Sequence, residues 1–480
     1  MASSSSKLRV AFVHPDLGIG GAERLVVDAA LGLQKLGHEV DVYTSHHDPN
    51  HCFDETRDGT LRVHGIEPPF PRSFKGKFHI LFSHARQLHL TTYLLRPSSP
   101  KYDVYFVDQL STCIPFLRAF GHTRVVFYCH FPDKLLADGA YVEGKGRRSG
   151  SMLKRMYRFP MDRLEEVTTR QADIILANSK FTTRVFKEHF PSIPSTPKVV
   201  YPGINLSAYE ATAYDASDPD IVELASERPT LLSLNRFEKK KNAALAVDAF
   251  ALLRKKRTSG SSSSQESMRL IIAGGYDPRL EDNMMTLVGL IDRAKANSLT
   301  FNIVTPSTSR ITIPPFNLTP SSPDILFLLN FTTAQRSALL TSDATLALLY
   351  TPMNEHFGIG PVEGMVCGLP ILACNSGGPT ESVIDSPLEE RTGWLRPPEP
   401  EVWAEALAEI VCLSEAERTA LAERARRRAR ENFGMDAMAK GLEEALKEAV
   451  GKGPVMASSL LLVCWALLAV FAALILRVFA

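Results

Sequence analysis

Glu355-His-Phe-Gly-Ile-Gly-Pro-Val-Glu363 runs without a break into an apolar helical pattern, and Gly368-Leu-Pro370 stops that pattern. Pro361 suits the first turn of a helix, where its missing N–H would have no intrahelical partner. The spacing therefore predicts a helix that carries Glu363 in its first turn and leaves Glu355 on the loop before it. Gly358 and Gly360 allow backbone N–H groups to approach an anion at the positive end of that helix. His356, Phe357 and Ile359 belong to the same stretch. A phosphate in the centre with hydroxyl-rich groups on both sides would suit it, which is the layout of a nucleotide-sugar. Ordinary helix starts also carry Pro and Glu, because the dipole favours a carboxylate there. The reading therefore depends on the rest of the chain.

Strand patterns at 344–349 and 371–373 bracket this stretch, so it connects two buried parallel strands. The same alternation continues upstream in a half that begins at 230–237, with a strand at 230–235, a helix at 242–255 and strands at 270–273 and 325–329. An earlier half repeats the theme. A strand at 8–15 enters the turn Asp16-Leu-Gly-Ile-Gly-Gly21, followed by a helix at 22–36 and a strand at 38–44. Further strand patterns lie at 104–108, 125–129, 174–177 and 199–201. The expected fold class is α/β, with two Rossmann-like, doubly wound domains facing a cleft. The boundaries read as 7–207 for the first domain, 208–229 for a linker rich in Ala, Asp, Ser and Pro, and 230–428 for the second domain. A closing helix and hinge are expected at 429–452, and 404–451 reads as two charged amphipathic helices. The Ser-rich 259–264 reads as a mobile loop, and 300–323 as an irregular insertion.

Composition narrows the function classes. The formal net charge is +1, so no global field points to nucleic acid. The 7 cysteines are odd in number and form no Cys-x-x-Cys pair, which argues against a disulfide framework or zinc site. The N-terminus enters its first strand pattern with no secretory signal. Residues 456–476 contain no charge and are dominated by Leu, Ala and Val, with Lys452 before them and Arg477 after. That length spans a bilayer as a helix, so a C-terminal transmembrane anchor is expected, with the preceding residues in the cytosol. The sequons beginning at Asn205, Asn317 and Asn330 would then go unused.

Several other positions carry chemistry. Arg236 follows the strand at 230–235, and Lys241 closes a run of three lysines before a helix. Arg can grip a phosphate with two parallel N–H bonds, and Lys adds a point charge. A solvated basic turn would read the same way. Asn375-Ser-Gly-Gly-Pro379 repeats the strand-end, glycine, helix-start theme, with Glu381 after it. His130 stands just past a strand as a candidate acid/base or hydroxyl-binding group, or as a structural histidine. Gly20 and Gly21 suit the approach of a diphosphate. A dinucleotide fingerprint is incomplete there, because Glu23 replaces its third glycine and no acid ends the second strand. Basic residues mixed with apolar ones at 72–96 and 145–158 could lie on an anionic membrane surface or be ordinary solvated faces. Their aromatics do not interleave as a stacking platform for nucleic acid.

Together, Gly20-Gly-Ala-Glu-Arg24, Asn235-Arg-Phe-Glu-Lys-Lys-Lys241 and the pair Glu355 and Glu363 resemble the retaining glycosyltransferases of family four, which have the GT-B fold. Tyr128-Cys-His-Phe-Pro-Asp133, Gly274-Gly-Tyr-Asp277 and Asn354-Glu-His-Phe-Gly-Ile359 resemble the members that build dolichol-linked oligosaccharides. Gly360 and Gly364 depart from that pattern, as do the two stretches read as insertions. The resemblance implies GDP-mannose as donor, no tightly bound cofactor and no required metal, since basic side chains replace the ion. It implies an acceptor-binding first domain, a donor-binding second domain and a mannosyl-chitobiosyl-diphosphodolichol acceptor that gains an alpha-1,3 and an alpha-1,6 mannose. It implies the cytosolic face of the endoplasmic reticulum membrane, membrane lipid as a contact and other dolichol-pathway transferases as candidate partners. Glu355, Lys241, Arg236 and His130 become the expected catalytic groups. Gly20, Gly21, Glu363, His356, Phe357, Gly358, Ile359 and Gly360 become the expected substrate-binding ones. Two alternatives stand beside this reading: another lipid-acceptor transferase with a different nucleotide-sugar, and a silent nucleotide-sugar-binding membrane scaffold.

Overall fold

A computed structural model of the chain describes residues 7–74, 78–136, 152–209, 215, 217–222, 224–258, 268–311 and 322–455. The chain divides into two units, one made of residues 1–203 and 435–480 and the other of 204–434. The expected anchor at 456–476, the Ser-rich 259–264 and Asn317 lie outside the described residues. Among the described residues no helix is long and apolar enough to cross a membrane.

The first unit is built on β1 (Arg9–His14), β2 (Glu39–Thr44), β3 (Arg62–Gly65), β4 (Val104–Asp108), β5 (Arg124–Cys129), β6 (Ile174–Ala177) and β7 (Lys198–Val199). They form one parallel sheet in the order β3-β2-β1-β4-β5-β6-β7. Short apolar runs such as Val10 to Val13 and Val104 to Val107 are buried on both faces, as parallel strands covered by helices require. The C-terminal helix Met435–Gly451 belongs to this unit. Its Leu442, Leu446 and Ala449 join the core formed with the helix Gly21–Lys35. Gly32 makes room for it, since a Cβ there would lie 2.8 Å from that of Ala439.

The second unit comprises β8 (Thr230–Leu234), β9 (Arg269–Gly274), β10 (Phe301–Val304), β11 (Ile325–Leu329), β12 (Thr345–Tyr350), β13 (Ile371–Cys374) and β14 (Gly393–Arg396). Its parallel order is β10-β11-β9-β8-β12-β13-β14. Apart from β10 outside β11, this is the doubly wound order of the first sheet. Each sheet reverses its winding at one point, between β1 and β4 in the first and between β8 and β12 in the second. Ligands of such sheets collect at the strand C-termini there.

Four expectations change. The insertion at 300–323 begins with β10, an edge strand, because Phe301 and Val304 bury themselves beside β11. The breaks between units fall after Gly203 and Gly434 rather than at 207 and 428. The stretch expected as a linker belongs with the second unit, where the short helix Pro219–Val222 buries Ile221 and the Gln335 side chain donates to the Asp220 carbonyl. The two amphipathic helices expected at 404–451 are three, Pro400–Val411, Glu415–Phe433 and Met435–Gly451. Ser414 starts the second of these with a reciprocal cap to Glu417.

Candidate active site

In the second unit the winding reversal brings the ends of β8 and β12 together. Past β8, Asn235 and Arg236 turn over Gly274. A Cβ at Gly274 would lie 1.7 Å from the Asn235 carbonyl oxygen, so only glycine lets the strand end pass so close. Arg236 is 63% exposed at its side chain, with Glu238 3.8 Å away. Lys241 ends a single helical turn, Lys239–Lys241, and Asn242 reverses the chain at φ 51. The Thr351 hydroxyl donates to the Lys241 carbonyl at 2.6 Å, which fixes that turn to the end of β12.

Lys241 Nζ donates to Glu355 Oε2 at 2.6 Å. Burial alone would raise the Glu355 pKa, but the charge and hydrogen bond of Lys241 outweigh it and hold the carboxyl below its ordinary range. His356 adds a smaller pull in the same direction. The loop carrying Glu355 is braced by the turn after β13. Gly377 sits at φ 71, the Gly378 N–H donates to the Glu355 carbonyl at 2.8 Å, and a Cβ at Gly378 would fall 2.2 Å from the Phe357 backbone. Phe357 itself is buried, with its ring 5.7 Å from that of Phe433. Its side chain therefore anchors the loop, leaving the backbone to meet a ligand.

The helix Ile359–Cys367 starts at Gly358, whose φ of 85 favours glycine. It begins two residues before Pro361, which places Glu363 past the first turn, contrary to the expectation from spacing. Gly358 and Gly360 lie on the Tyr350 ring, where a Cβ would come within 3.0 Å. Burial first, and then the charges of Glu355 and Glu363, push the Tyr350 phenol far up. Glu363 Oε1 accepts from the Tyr209 hydroxyl at 2.5 Å and lies 3.4 Å from Arg336, whose guanidinium sits 4.9 Å from the centre of the Tyr209 ring. Glu355, His356, Gly358, Ile359, Gly360 and Lys241 are thus brought to one helix start, with Glu363 past its first turn and Arg236 exposed at the adjacent strand end.

The other expected residues belong to the first unit. Gly20 precedes the first turn of the helix Gly21–Lys35, and the Glu23 carboxylate occupies the space a Cβ at Gly20 would need, 2.1 Å from it. Gly21 is open, with no atom within 4 Å of such a Cβ. His130 follows β5 and donates from Nε2 to Asp108 Oδ2 at 2.9 Å. The other oxygen of Asp108 accepts from His14 Nδ1 at 2.6 Å. Burial alone would raise the Asp108 pKa, but His14 and then His130 hold it low. Sequence reading missed Asp108, His14, Tyr350, Tyr209 and Arg336. His14, Asp108 and Tyr350 were detectable as the final residues of apolar strands beside the winding reversals.

The arrangement offers basic groups and the N–H donors of a helix start for a diphosphate, and carboxylates for sugar hydroxyls. Comparisons with known proteins agree with that chemistry. The Glycosyltransferase Family 4 model matches residues 19–208, and the Glycosyl transferases group 1 model matches 323–428. The alpha-1,3/1,6-mannosyltransferase ALG2 of Rhizomucor pusillus is 43% identical over 457 residues, covering 95% of each chain. That of Saccharomyces cerevisiae is 38% identical over 451 residues, covering 93% of this chain and 86% of its own. Among solved structures, sucrose-phosphate synthase of Thermosynechococcus elongatus superposes with a TM-score of 0.65 at 17% identity, over 93% of this chain and all of that one. Anabaena Alr3699/HepE with UDP-glucose gives 0.58 at 16% identity, over 92% of this chain and 100% of that one. These last two bear on the fold alone, which is GT-B.

Proposed function

The chain belongs to the alpha-1,3/1,6-mannosyltransferases of glycosyltransferase family four, and from that we propose a donor, an acceptor and a set of residue roles. The donor is GDP-mannose. The acceptor is a dolichyl-diphosphate chitobiose already carrying one mannose, which gains an alpha-1,3 and an alpha-1,6 mannose. The observation that carries the reading is the Lys241–Glu355 pair beside the open start of the helix Ile359–Cys367.

An ammonium has three N–H donors, so Lys241 can keep Glu355 on one and offer another to the donor diphosphate. Arg236, exposed beside it, supplies the second cation. Together they stabilise the departing diphosphate as the mannosyl C1–O bond breaks. The acceptor hydroxyl oxygen bonds to C1 on the face the phosphate leaves, and its proton passes to a phosphate oxygen, so configuration is retained. Glu355 holds sugar hydroxyls near the developing positive charge, and Glu363 accepts from the ribose. Backbone N–H groups of 357–360 contact phosphate or sugar, with Ile359 and His356 beside them. Gly20 and Gly21 leave room for a diphosphate at the first unit, and His130 meets a sugar hydroxyl. Residues 456–476 span the endoplasmic reticulum membrane and keep both units on the cytosolic face, next to membrane lipid and the other dolichol-pathway transferases.

The test is mass spectrometry of products from the purified full chain, GDP-mannose and a lipid-diphosphate chitobiose with one mannose. A gain of two hexoses is expected, with none from UDP-glucose. No gain from GDP-mannose by folded, membrane-inserted protein would overturn the assignment.

A further inference from the structure

His14, Asp108 and His130 stand at the C-terminal ends of β1, β4 and β5, three neighbouring strands. Asp108 is 1% exposed and uses both oxygens, one for each histidine. An ionised carboxylate has no proton to give, so both rings must donate to it. For His130 this makes Nε2 the protonated nitrogen and leaves Nδ1 of the neutral ring as an acceptor. Nδ1 has no hydrogen-bond partner among the described residues, and the side chain is 21% exposed.

His14 differs in being fully enclosed. Its Nδ1 donates to Asp108, while Nε2 lies 3.8 Å from Glu23 and has no hydrogen-bond partner among the described residues. Burial alone would lower its pKa, but Asp108 and then Glu23 outweigh burial and raise it well above the usual range. The ring is therefore a cation at neutral pH with N–H on both nitrogens.

We propose that Asp108 is a positioning residue which, braced by His14 on one oxygen, holds His130 as the Nε2–H tautomer, so that Nδ1 accepts a hydrogen bond from a sugar hydroxyl of the substrate. The inference rests on the role given to His130 above.

Asp108→Asn tests it, because an amide has one oxygen. Where that oxygen accepts from His14 Nδ1, the amide NH2 faces His130 Nε2. His130 must accept there, its proton moves to Nδ1, and the hydroxyl meets a donor. With the full chain, first shown to transfer hexose, Asp108→Asn should lower kcat by about 10²-fold. The KM for donor should stay within about threefold. In a His130→Ala background the same substitution should cost less than about twofold more, since it acts only through His130. Additive losses, or a kcat within about threefold of the unaltered chain, would overturn the assignment.

A second measurement needs no buried substitution. His130→Gln keeps an acceptor oxygen and an N–H donor on one planar group, so it should retain about tenfold more kcat than His130→Ala. Equal losses in the two variants would count against the role of Nδ1.

Discussion

The two winding reversals share one topology and use it in opposite ways. In the first unit the charged groups between β1 and β4 are sealed, with His14 and Asp108 each 1% exposed. In the second unit those between β8 and β12 stay half open, with side-chain exposures of 17% for Lys241, 25% for Glu355 and 63% for Arg236. A sealed pair cannot exchange its partner for a ligand, so it serves to orient a neighbour. A half-open pair can rearrange around an arriving ligand, which suits the role proposed for Lys241 and Glu355. The difference follows from what each strand delivers. Apolar β1 and β4 end on ionisable side chains that stay within the sheet layer, whereas β8 and β12 hand their charges to the loops beyond.

The largest predicted effect tests the open site. Lys241→Ala should cut transfer by about 10²–10³-fold, because one cation is lost where charge develops on the leaving group. Its stability should also fall, by about 1–3 kcal/mol, since the mostly buried Glu355 carboxylate is left without its cation. Near-normal turnover of this variant would break the functional half of the comparison.

Next comes a contrast between two glycine turns, one in each unit. Gly378→Ala drives a Cβ into the Phe357 backbone and should destabilise the second unit by about 2–4 kcal/mol, with loss of activity as the Glu355 loop shifts. Gly21→Ala meets nothing within 4 Å and should change stability by less than about 0.5 kcal/mol. Denaturant melts of both variants check this pair. Equal losses would mean that the close approach of the two loops does not set the difference.

Much of this was legible in the chain. Runs such as Val10 to Val13 and Ile325 to Leu329 have no polar alternation and read as buried parallel strands, so the two α/β halves followed from pattern. Glu355, Lys241 and the glycines around 358 were legible because glycine and charge at a strand end are rare together without cause. Other features depended on distance. Ile325 pairs with Phe301 to make β10 an edge strand in a stretch whose Ser, Thr and Pro content suggested none. Asp108 and His14 are 94 residues apart, and only the parallel register of β1 with β4 sets their side chains 2.6 Å from each other. Phe357 read as part of the site, yet its ring packs on Phe433 from a helix far along the chain.

A pH series sharpens the contrast in burial. The pKa of His14 is raised to about 10, so its stabilisation is fully present below the unfolded value near 6.5 and is lost as pH rises toward 10. The first unit should therefore loosen over that range more than the second. Hydrogen exchange in β1 and β4 against β8 and β12 reads the difference. His14→Gln should remove the pH dependence, and its survival in that variant would place the cause elsewhere.

The smallest effect probes the edge of the open site. Tyr209→Phe removes the hydroxyl that donates to Glu363, but Arg336 remains 3.4 Å from the same carboxylate. A hydrogen bond to a charged carboxylate contributes about 1.5 kcal/mol net at the low end, and Arg336 keeps part of the hold on Glu363, so the KM for the proposed donor should rise by up to about tenfold. If Glu363 acts by holding the ribose, kcat should change by less than about twofold, because ribose contacts are alike in ground and transition states. A fall in kcat of about 10²-fold with KM unchanged would instead put Tyr209 and Glu363 among the groups that act on the departing diphosphate. The division between a binding edge and a reacting centre within the second unit would then have to be redrawn.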